Sequence, residues 1–452
     1  MASRGLIVGA IVVIVVVAAA VLLMSGGGKQ AATTPATTMS QPAASPGAGG
    51  QASTATAGGG GGGSGVIKIG GTVSLQGKFA HEGKMGLCGF RVAVKWVNEH
   101  GGVKVGGKTY KLDYIYYDDK SSKDEVQKLY TKLITEDKVD FLMAPYSSSL
   151  TLAAVPITDQ YGKLLISWGG ASDKIFEKGY KYIVQTLSPA SKYLASAIDF
   201  LASTGDKDIK IAIIYENSAF ASVVASAAKK YAEEKGLKVV FFQSYPKGTT
   251  DFAQIIVKAK ESGANVLLGG GHFQDGLQLV KQAYDLGWRL KFISILVAPV
   301  LPEFYKQLGS KVAEGVSAPA QWEIGAKYSP EAAKKMGFEW YGPTGDEFVK
   351  MFKEECGEEP SYHAASAAAS VFYLVKAIER AGSLDVDKVR QAFNGLKLMT
   401  FFGPLEIDPK TGKQIAHPML LVQWQNGKKV IIWPESAATG KPVYPVKNWW
   451  ER

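Results

Sequence analysis

From Val66 onward, short apolar runs alternate with longer stretches whose apolar residues recur at helical spacing. The short runs carry Val, Ile, Leu and Phe on successive positions, as in 163–170 and 210–217. Such runs are typical of strands in a parallel sheet that is covered by helices on both faces, whereas half-exposed strands alternate apolar and polar residues. The chain is therefore predicted to be an α/β protein.

The alternating pattern falls into two successive blocks, roughly 66–187 and 188–317, each sufficient for one doubly wound, Rossmann-like lobe. The pattern then changes to three helices within 343–396 and to strands at 401–408, 419–424 and 428–434. The short gaps with Gly or Pro between these last strands predict an antiparallel set. Two lobes that share a C-terminal section imply a cleft, and the carboxyl ends of parallel strands are the usual ligand sites.

The first 65 residues differ in composition from the rest of the chain. Residues 6–24 contain no charged side chain, and a helix of this length can cross ~30 Å of hydrocarbon. We expect 1–29 to be an uncleaved membrane anchor or, alternatively, a cleaved signal segment. Residues 30–65, rich in Ala, Thr, Ser, Pro and Gly, cannot bury apolar area and are predicted to be a stalk. Both alternatives place the remaining chain outside the cytoplasm.

Charge and cysteine content exclude several classes of protein. The net charge of +10 is spread along the chain, so no nucleic-acid partner is expected. Two cysteines and five scattered histidines form neither a disulfide scaffold nor a metal cluster, and we expect no metal and no cofactor. Cys88 and Cys356 fall on predicted helices of the first lobe, and they could form a disulfide outside the cytoplasm.

No motif in the sequence assembles catalytic groups, so an enzyme is not expected. Residues 102–109 match the letters of a phosphate-binding loop, but that loop needs a strand before it and a helix after it, and here the order is reversed. Asp118 and Asp119 are interpreted as a solvated strand end that caps the next helix rather than as a catalytic pair.

Small polar and aromatic residues gather instead where strands are predicted to end. Ser147 and Ser148 lead into a helix, where hydroxyls and free backbone N–H groups can hold a carboxylate, although one serine could simply cap the helix. Trp168 could form a pocket wall or a core contact, and His272 could be a ligand contact or a structural residue. The candidate ligand-binding residues are Tyr146, Ser147, Ser148, Trp168, Gly169, Gly170, Phe220, Gly271, His272, Gln321 and Trp322.

Several segments, taken in order, resemble one known family. They are IKIGGTVSLQGKFA, VNEHGGV, SSSLTLAA, ISWGGASDKIFEKGY, DFAQIIVKAKESGANVLLGGGH, GPTGDEFVKMF and PSYHAASAAASVFYLVKAIERAG. The chain over about 66–435 is similar to type I periplasmic binding proteins of the leucine/isoleucine/valine-binding group, the extracytoplasmic receptors of ABC importers. The resemblance implies two lobes that close on a small ligand, joined by three crossovers near 186–189, 317–321 and 399–402.

With these crossovers, the resemblance also implies how the chain divides between the lobes. The first lobe would contain 66–187 and 318–400, and the second would contain 188–317 and 401–435. Residues 436–452 would form a C-terminal tail.

The resemblance assigns roles to individual residues of the first lobe. Ser147 matches a serine that binds the ligand carboxylate, helped by the backbone at Gly169. A further family hydroxyl falls on Ala171 here, so that contact is missing unless Ser172 replaces it.

Two departures in the second lobe argue against an α-amino acid as the ligand. Gly271 stands where amino-acid binders of the family have an aromatic residue, and Leu296 stands where they have the acidic partner of the ammonium group. Zwitterionic amino acids are therefore expected to bind poorly unless Glu82 or Glu216 turns into the cleft. An amide or an aromatic or aliphatic carboxylate fits as well.

The sequence thus predicts a solute-binding receptor at the cell surface, tethered by its N-terminal segment. Its expected partners are a small molecule, the permease subunits of an ABC importer and, through the anchor, the membrane. The alternative is a ligand-sensing ectodomain that acts with a separate signalling partner.

Overall fold

A computed structural model describes residues 65–451. The predicted anchor and nearly all of the predicted stalk lie outside these residues. Within 65–451, no helix combines the length and the apolar character that a membrane span needs.

The first part of the chain forms six strands and three helices. The strands are β1 (Gly65–Val73), β2 (Val103–Val105), β3 (Lys108–Asp118), β4 (Phe141–Met143), β5 (Leu165–Ser167) and β6 (Ile183–Gln185). The helices are α1 (Ala80–Glu99), α2 (Lys123–Thr135) and α3 (Ser148–Gln160). The strands form one sheet in the order β2-β3-β1-β4-β5-β6, in which only the β2–β3 pair is antiparallel.

The second part repeats the pattern. Its strands are β7 (Lys210–Glu216), β8 (Lys238–Tyr245), β9 (Val266–Gly270), β10 (Phe292–Ile295) and β11 (Ser317–Ala320). Its helices are α4 (Ala195–Ser203), α5 (Ala221–Glu234), α6 (Ala253–Glu261), α7 (Phe273–Asp285) and α8 (Pro302–Ala313). Strands β9 and β10 are buried along their whole length, as expected for strands with helices on both faces.

The C-terminal part completes both lobes. Its helices are α9 (Pro330–Met336), α10 (Gly345–Cys356), α11 (Tyr362–Ala381) and α12 (Val386–Ala392). Its strands are β12 (Glu339–Trp340), β13 (Leu398–Thr400), β14 (Gly403–Leu405), β15 (Leu420–Gln425) and β16 (Lys428–Trp433). Short 3-10 helices lie at Asp173–Ile175, Ala190–Lys192, Ala298–Val300 and Trp449–Glu451.

The last two strands join the second sheet, whose order is β16-β15-β11-β10-β9-β7-β8. Strand β15 is antiparallel to both β11 and β16, which confirms the antiparallel arrangement predicted for 419–434. Residues 401–408 do not form one strand as predicted, because the chain turns back at 400–403 and β13, β14 and β12 make a separate small sheet.

Helix α11 packs closely on α1 and so adds to the first lobe. Nearly all of α11 is buried, and its Ala-rich face allows a close approach. A Cβ atom added at Gly89 of α1 would lie 2.2 Å from the carbonyl oxygen of Ala364, so only glycine fits this contact. The hydrophobic core is continuous through both lobes.

Three segments cross between the lobes, and they meet around Gln321. The Gln321 side chain accepts a hydrogen bond from Ser188 N at 2.9 Å and donates one to Ser188 O at 3.2 Å. Nε2 of His417 donates to the carbonyl oxygen of Gln321 at 2.8 Å, and the Ser188 hydroxyl donates to the carbonyl oxygen of His417. Gln321 thus ties all three crossings together, since its side chain bonds to the first crossing and its backbone carbonyl accepts a bond from the third.

Two crossings lie later in the chain than the resemblance implies. Strand β11 stays in the second sheet as far as Ala320, because its residues pair with β15. The third crossing falls near His417 instead of 399–402, because Gln185 N donates to Gly412 O at 2.8 Å and holds this segment beside β6. Residues 401–414 therefore lie with the first lobe.

Cys88 on α1 and Cys356 on α10 form a disulfide, with Cα atoms 6.4 Å apart. The bond joins residues separated by 268 positions, and chain-entropy models assign ~5 kcal/mol to closing a loop of this size.

We expect no alkylated thiol when the protein is denatured without reductant, and two after reduction. Reduction should lower the melting temperature.

The control is the double variant Cys88→Ser with Cys356→Ser, whose melting temperature should match that of the reduced wild type and should not respond to reductant. Two reactive thiols in the unreduced, denatured protein would contradict this assignment.

Candidate functional site

A narrow cleft lies between the carboxyl ends of the two parallel sheets, and its free volume of about 10 Å³ leaves room for little more than one water molecule in this closed arrangement. Seven of the eleven predicted site residues line it: Tyr146, Ser147, Ser148, Trp168, Gly169, Phe220 and His272. Four residues that were not predicted also line it: Leu187, Tyr193, Tyr362 and His363. Both lobes therefore contribute to the walls.

The two predicted serines differ in what their hydroxyls do. Ser147 precedes α3, but its side chain makes no capping bond to the helix, and its Oγ lies 3.0 Å from Ser149 Oγ. Ser148 Oγ accepts a hydrogen bond from Ser172 N at 2.9 Å. Ser147 thus presents its hydroxyl to the cleft beside the free N–H groups of a helix start, while Ser148 positions the neighbouring loop.

Ser172 does not replace the hydroxyl that is missing at Ala171, because it bonds across the cleft. Its Oγ donates to the carbonyl oxygen of Ala219, in the second lobe, at 2.6 Å. Lys78 and Glu216 form an ion pair between the same two lobes. These contacts hold the lobes in a closed arrangement.

Aromatic residues form the wall on the first lobe. Trp168 is both a core residue and a cleft residue: its Nε1 donates to Ala144 O at 2.6 Å, and its ring lies 5.7 Å from that of Tyr146. A Cβ atom at Gly169 would lie 2.7 Å from the Tyr146 ring, so this position has no room for a side chain. The Tyr146 hydroxyl lies 3.3 Å from His363 Nε2, and burial lowers the pKa of His363 well below its usual range.

On the second lobe, His272 faces the cleft between two aromatic rings. Its ring lies 4.8 Å from Phe79 and 5.7 Å from Phe220. Its Nδ1 donates to Glu216 at 3.3 Å, and its backbone N–H donates to Asp275 at 3.0 Å. His272 therefore lines the cleft and is also held by hydrogen bonds within the second lobe.

Gly271 leaves no space for the aromatic residue that the resemblance places there. An added Cβ would lie 2.4 Å from Asp275 Oδ2 and 2.7 Å from Glu216 Cβ. The side chains of Asp275 and Glu216 thus occupy the space beside Gly271. Leu296 is fully buried and apolar, as the sequence indicated.

Glu216, His272 and Asp275 bring one donor atom each to within 4.8 Å of one another, which is close enough to hold a metal ion. Each carboxylate already has partners, since Lys78 pairs with Glu216, and the Tyr245 hydroxyl donates to Asp275 at 2.6 Å. The three side chains of this cluster already have hydrogen-bond and ion-pair partners within the protein, and we assign no metal to them.

The remaining predicted residues lie beside the cleft. Gln321 belongs to the crossing segments, and Trp322 packs between Phe348 and Phe401, each ring centroid 5.9 Å away. Gly170 has no room for a side chain beside Thr151. These three residues support the cleft without lining it.

The sequence reasoning missed Tyr362 and His363 because they come from α11, more than 200 residues after the first strand-end loops. The run PSYHAASAAAS does contain a local signal, a Pro-Ser pair before two aromatic residues at a helix start. Tyr193, whose ring lies 5.0 Å from Phe220, comes from the first crossing.

Glu82 is the exceptional polar residue of this region. It lies fully buried in the first turn of α1, and no side chain among the described residues donates a hydrogen bond to either carboxylate oxygen. Burial raises the pKa of Glu82 to about 7 and the charge of Asp275 adds to the rise, while His272 and the amide of Phe273 oppose it.

Two α/β lobes, three crossing segments and an enclosed cleft define a two-lobed binding protein. A family model described as periplasmic binding protein matches residues 66–429. The chain belongs to this family, and its fold is that of a type I periplasmic binding protein, which confirms the fold class and the resemblance found in the sequence.

Individual proteins agree with this assignment. The Leu/Ile/Val-binding protein homolog 7 of Brucella suis biovar 1 (strain 1330) is 25% identical over 391 residues, 84% of this chain and 94% of that protein. A solute binding protein of an ABC transporter from Rhodopseudomonas palustris HaA2, in complex with p-hydroxybenzoic acid, has a TM-score of 0.68 at 23% identity, covering 85% and 99% of the two chains.

A third similar protein is LivJ from Streptococcus pneumoniae str. Canada MDR_19A, a branched-chain amino acid transporter substrate binding protein in complex with isoleucine. Its TM-score is 0.66 at 22% identity, over 80% of this chain and 97% of that chain.

The buried Glu82 generates a pH-dependent prediction. The folded state holds its pKa at about 7, against 4.5 for an ordinary glutamate, so the folded protein binds this proton more tightly than the unfolded chain. The favourable contribution is complete below about pH 4.5, and about 3 kcal/mol of unfolding free energy should be lost as the pH rises through 7. Glu82→Gln should lack this loss in denaturant titrations.

Glu233→Gln provides the matched control, because Glu233 is an exposed acidic residue in the last turn of α5. Its unfolding free energy should run parallel to that of the wild type. If the difference in unfolding free energy between the wild type and Glu82→Gln stays constant from about pH 4.5 to about pH 7, Glu82 titrates as an ordinary glutamate.

Proposed function

We propose that this protein is an extracytoplasmic receptor of an ABC importer that captures a small molecule with a carboxylate or amide group between its lobes. The observation that carries the proposal is the Ser147 hydroxyl, free of any capping role, at a helix start inside an aromatic cleft. Hydroxyls and unpaired amides at a helix N-terminus suit an anionic or carbonyl oxygen.

The ligands of the two structural relatives support this chemistry. Isoleucine and p-hydroxybenzoic acid differ in their side groups but share a carboxylate. The rings of Tyr146, Trp168 and Phe220 would pack against the remainder of the ligand and exclude water.

Capture would work as a population shift between open and closed forms. Lys78 pairs with Glu216 and Ser172 bonds to Ala219 only when the lobes approach each other. A ligand that contacts both lobes adds to these bonds, stabilises the closed form and so marks the loaded receptor for the permease. The groups of the cleft thus serve binding rather than catalysis.

The cellular setting is part of the same proposal. Family membership supports a location outside the cytoplasm, and the apolar segment 6–24 would tether or export the protein. The predicted stalk at 30–65 would then separate the receptor from the membrane surface.

Ser147→Ala tests the ligand contact. Loss of one charge-assisted hydrogen bond should weaken binding by roughly 1.5–3 kcal/mol, or about 10- to 150-fold in Kd. The measurement is titration calorimetry with isoleucine, p-hydroxybenzoate and benzoate. Ser148→Ala should also weaken binding, through the Ser172 amide that it holds.

Ser262→Ala is the control, since this hydroxyl donates to a carbonyl oxygen at the end of α6. It should bind the same acids as tightly as the wild type. Unchanged affinity in Ser147→Ala would contradict the proposed contact.

A further inference from the structure

The loop that follows β10 contains a strained turn. Val297 has φ 60° and ψ −57°, a backbone conformation that a β-branched residue rarely adopts. The N–H group of Ala298 donates to the carbonyl oxygen of Leu296 at 2.6 Å, which closes a γ-turn around Val297. Because such a turn costs free energy, the surrounding structure must hold the loop in place.

Two side chains from the last strands of the second sheet hold this loop. Nε1 of Trp424, on β15, donates to the carbonyl oxygen of Pro299 at 2.8 Å. Nζ of Lys429, on β16, donates to the carbonyl oxygen of Val300, also at 2.8 Å. Both side chains are buried, and a buried hydrogen bond is costly to leave unmade.

The same ammonium of Lys429 forms an ion pair with Glu323. The two side chains are 8% and 4% exposed, and their charged atoms lie 2.8 Å apart. Glu323 comes just after the second crossing, next to Trp322, which packs on Phe348 and Phe401 of the first lobe. Lys429 therefore joins a loop of the second lobe to the chain where it enters the first lobe. Loss of either partner would leave a buried charge unpaired.

The opposite side of the loop contacts the segment that carries His272. A Cβ atom added at Gly276 would lie 2.8 Å from Ala298 Cβ and 3.4 Å from the carbonyl oxygen of Leu296. The N–H group of Gly276 donates to the carbonyl oxygen of His272 at 3.1 Å. Because packing this close leaves no slack, a shift of the loop would also shift His272, which lines the cleft.

We propose that Lys429 is a positioning residue for ligand capture, which acts from outside the cleft by fixing the wall that contains His272 relative to the second crossing. This inference rests on the proposed function. Lys429 and Glu323 line a separate groove beside α8, none of whose described residues also lines the cleft, so neither would touch the ligand. Without the ammonium, the wall would lose its connection to the crossing and fit the ligand less well when the lobes close.

The test compares variants in which the connection and the charge balance change separately. Glu323→Gln keeps the ammonium and offers it an amide oxygen, so the connection remains although one charge is lost. Lys429→Met removes the connection and leaves Glu323 buried alone. The double variant Lys429→Met with Glu323→Gln removes the connection and both charges. Its melting temperature should exceed that of Lys429→Met, because no buried charge remains unpaired.

Ligand affinity should not follow the melting temperature across these variants. In titration calorimetry of the full chain with isoleucine, p-hydroxybenzoate and benzoate, Lys429→Met and the double variant should both bind about tenfold more weakly than the wild type. Glu323→Gln should stay within about twofold of the wild type, and Lys429→Arg should retain most of the affinity. The control is Lys230→Met, which removes an exposed ion pair with Glu234 on α5 and should bind normally.

Amide hydrogen exchange without ligand tests the position of the wall directly. Exchange in 272–276 and 296–301 should be about tenfold faster in the double variant than in the wild type, while exchange in the first sheet should be unchanged. The double variant also provides the test if Lys429→Met does not fold.

The outcomes separate this inference from the proposed function. If the double variant recovered its affinity together with its melting temperature, or if exchange in the two segments were unchanged, the positioning role of Lys429 would be wrong. If Ser147→Ala weakened binding and the double variant did not, the receptor function would stand without this role. If none of the acids bound the wild type, the proposed function would be contradicted, and hydrogen exchange would still decide whether Lys429 fixes the wall.

Discussion

The arrangement of the two lobes depends on the hydrogen bonds that the side chain and the backbone carbonyl of Gln321 make. Gln321 bonds to both backbone groups of Ser188, and His417 links the third crossing to the Gln321 carbonyl. Burial lowers the pKa of His417 to about 4, so the ring is neutral at physiological pH, and it stacks on Phe402 at 4.4 Å. Because these bonds lie out of water, an unpaired member would be costly, which fixes how the crossings run side by side.

This constraint explains why the cleft works as a unit. Each lobe carries its own sheet, and the proposed closure would move one sheet relative to the other about the crossings. The ion pair of Lys78 with Glu216 and the bond from Ser172 to Ala219 join the two lobes across the cleft. In the proposed mechanism, a ligand that touches both walls would add to these contacts and shift the balance toward the closed form.

Much of this arrangement could be predicted from the sequence, because local signals encode it. The apolar runs located most of the strands, and the strand-end loops located seven residues of the cleft. What could not be predicted depends on contacts between distant parts of the chain. Tyr362 lines the cleft only because α11 packs on α1. Trp322 lies outside the cleft because its ring packs between Phe348 and Phe401. The roles of Ser148 and Ser172 depend on hydrogen-bond partners that no local pattern shows.

A crystal structure of the protein with a bound carboxylate tests the central claim most directly. The account predicts a ligand between the lobes, with one oxygen within hydrogen-bond distance of Ser147 Oγ and with its other end in contact with Phe220 or His272. A ligand that contacted one lobe only, or that lay outside the cleft while Ser147 faced empty space, would contradict it.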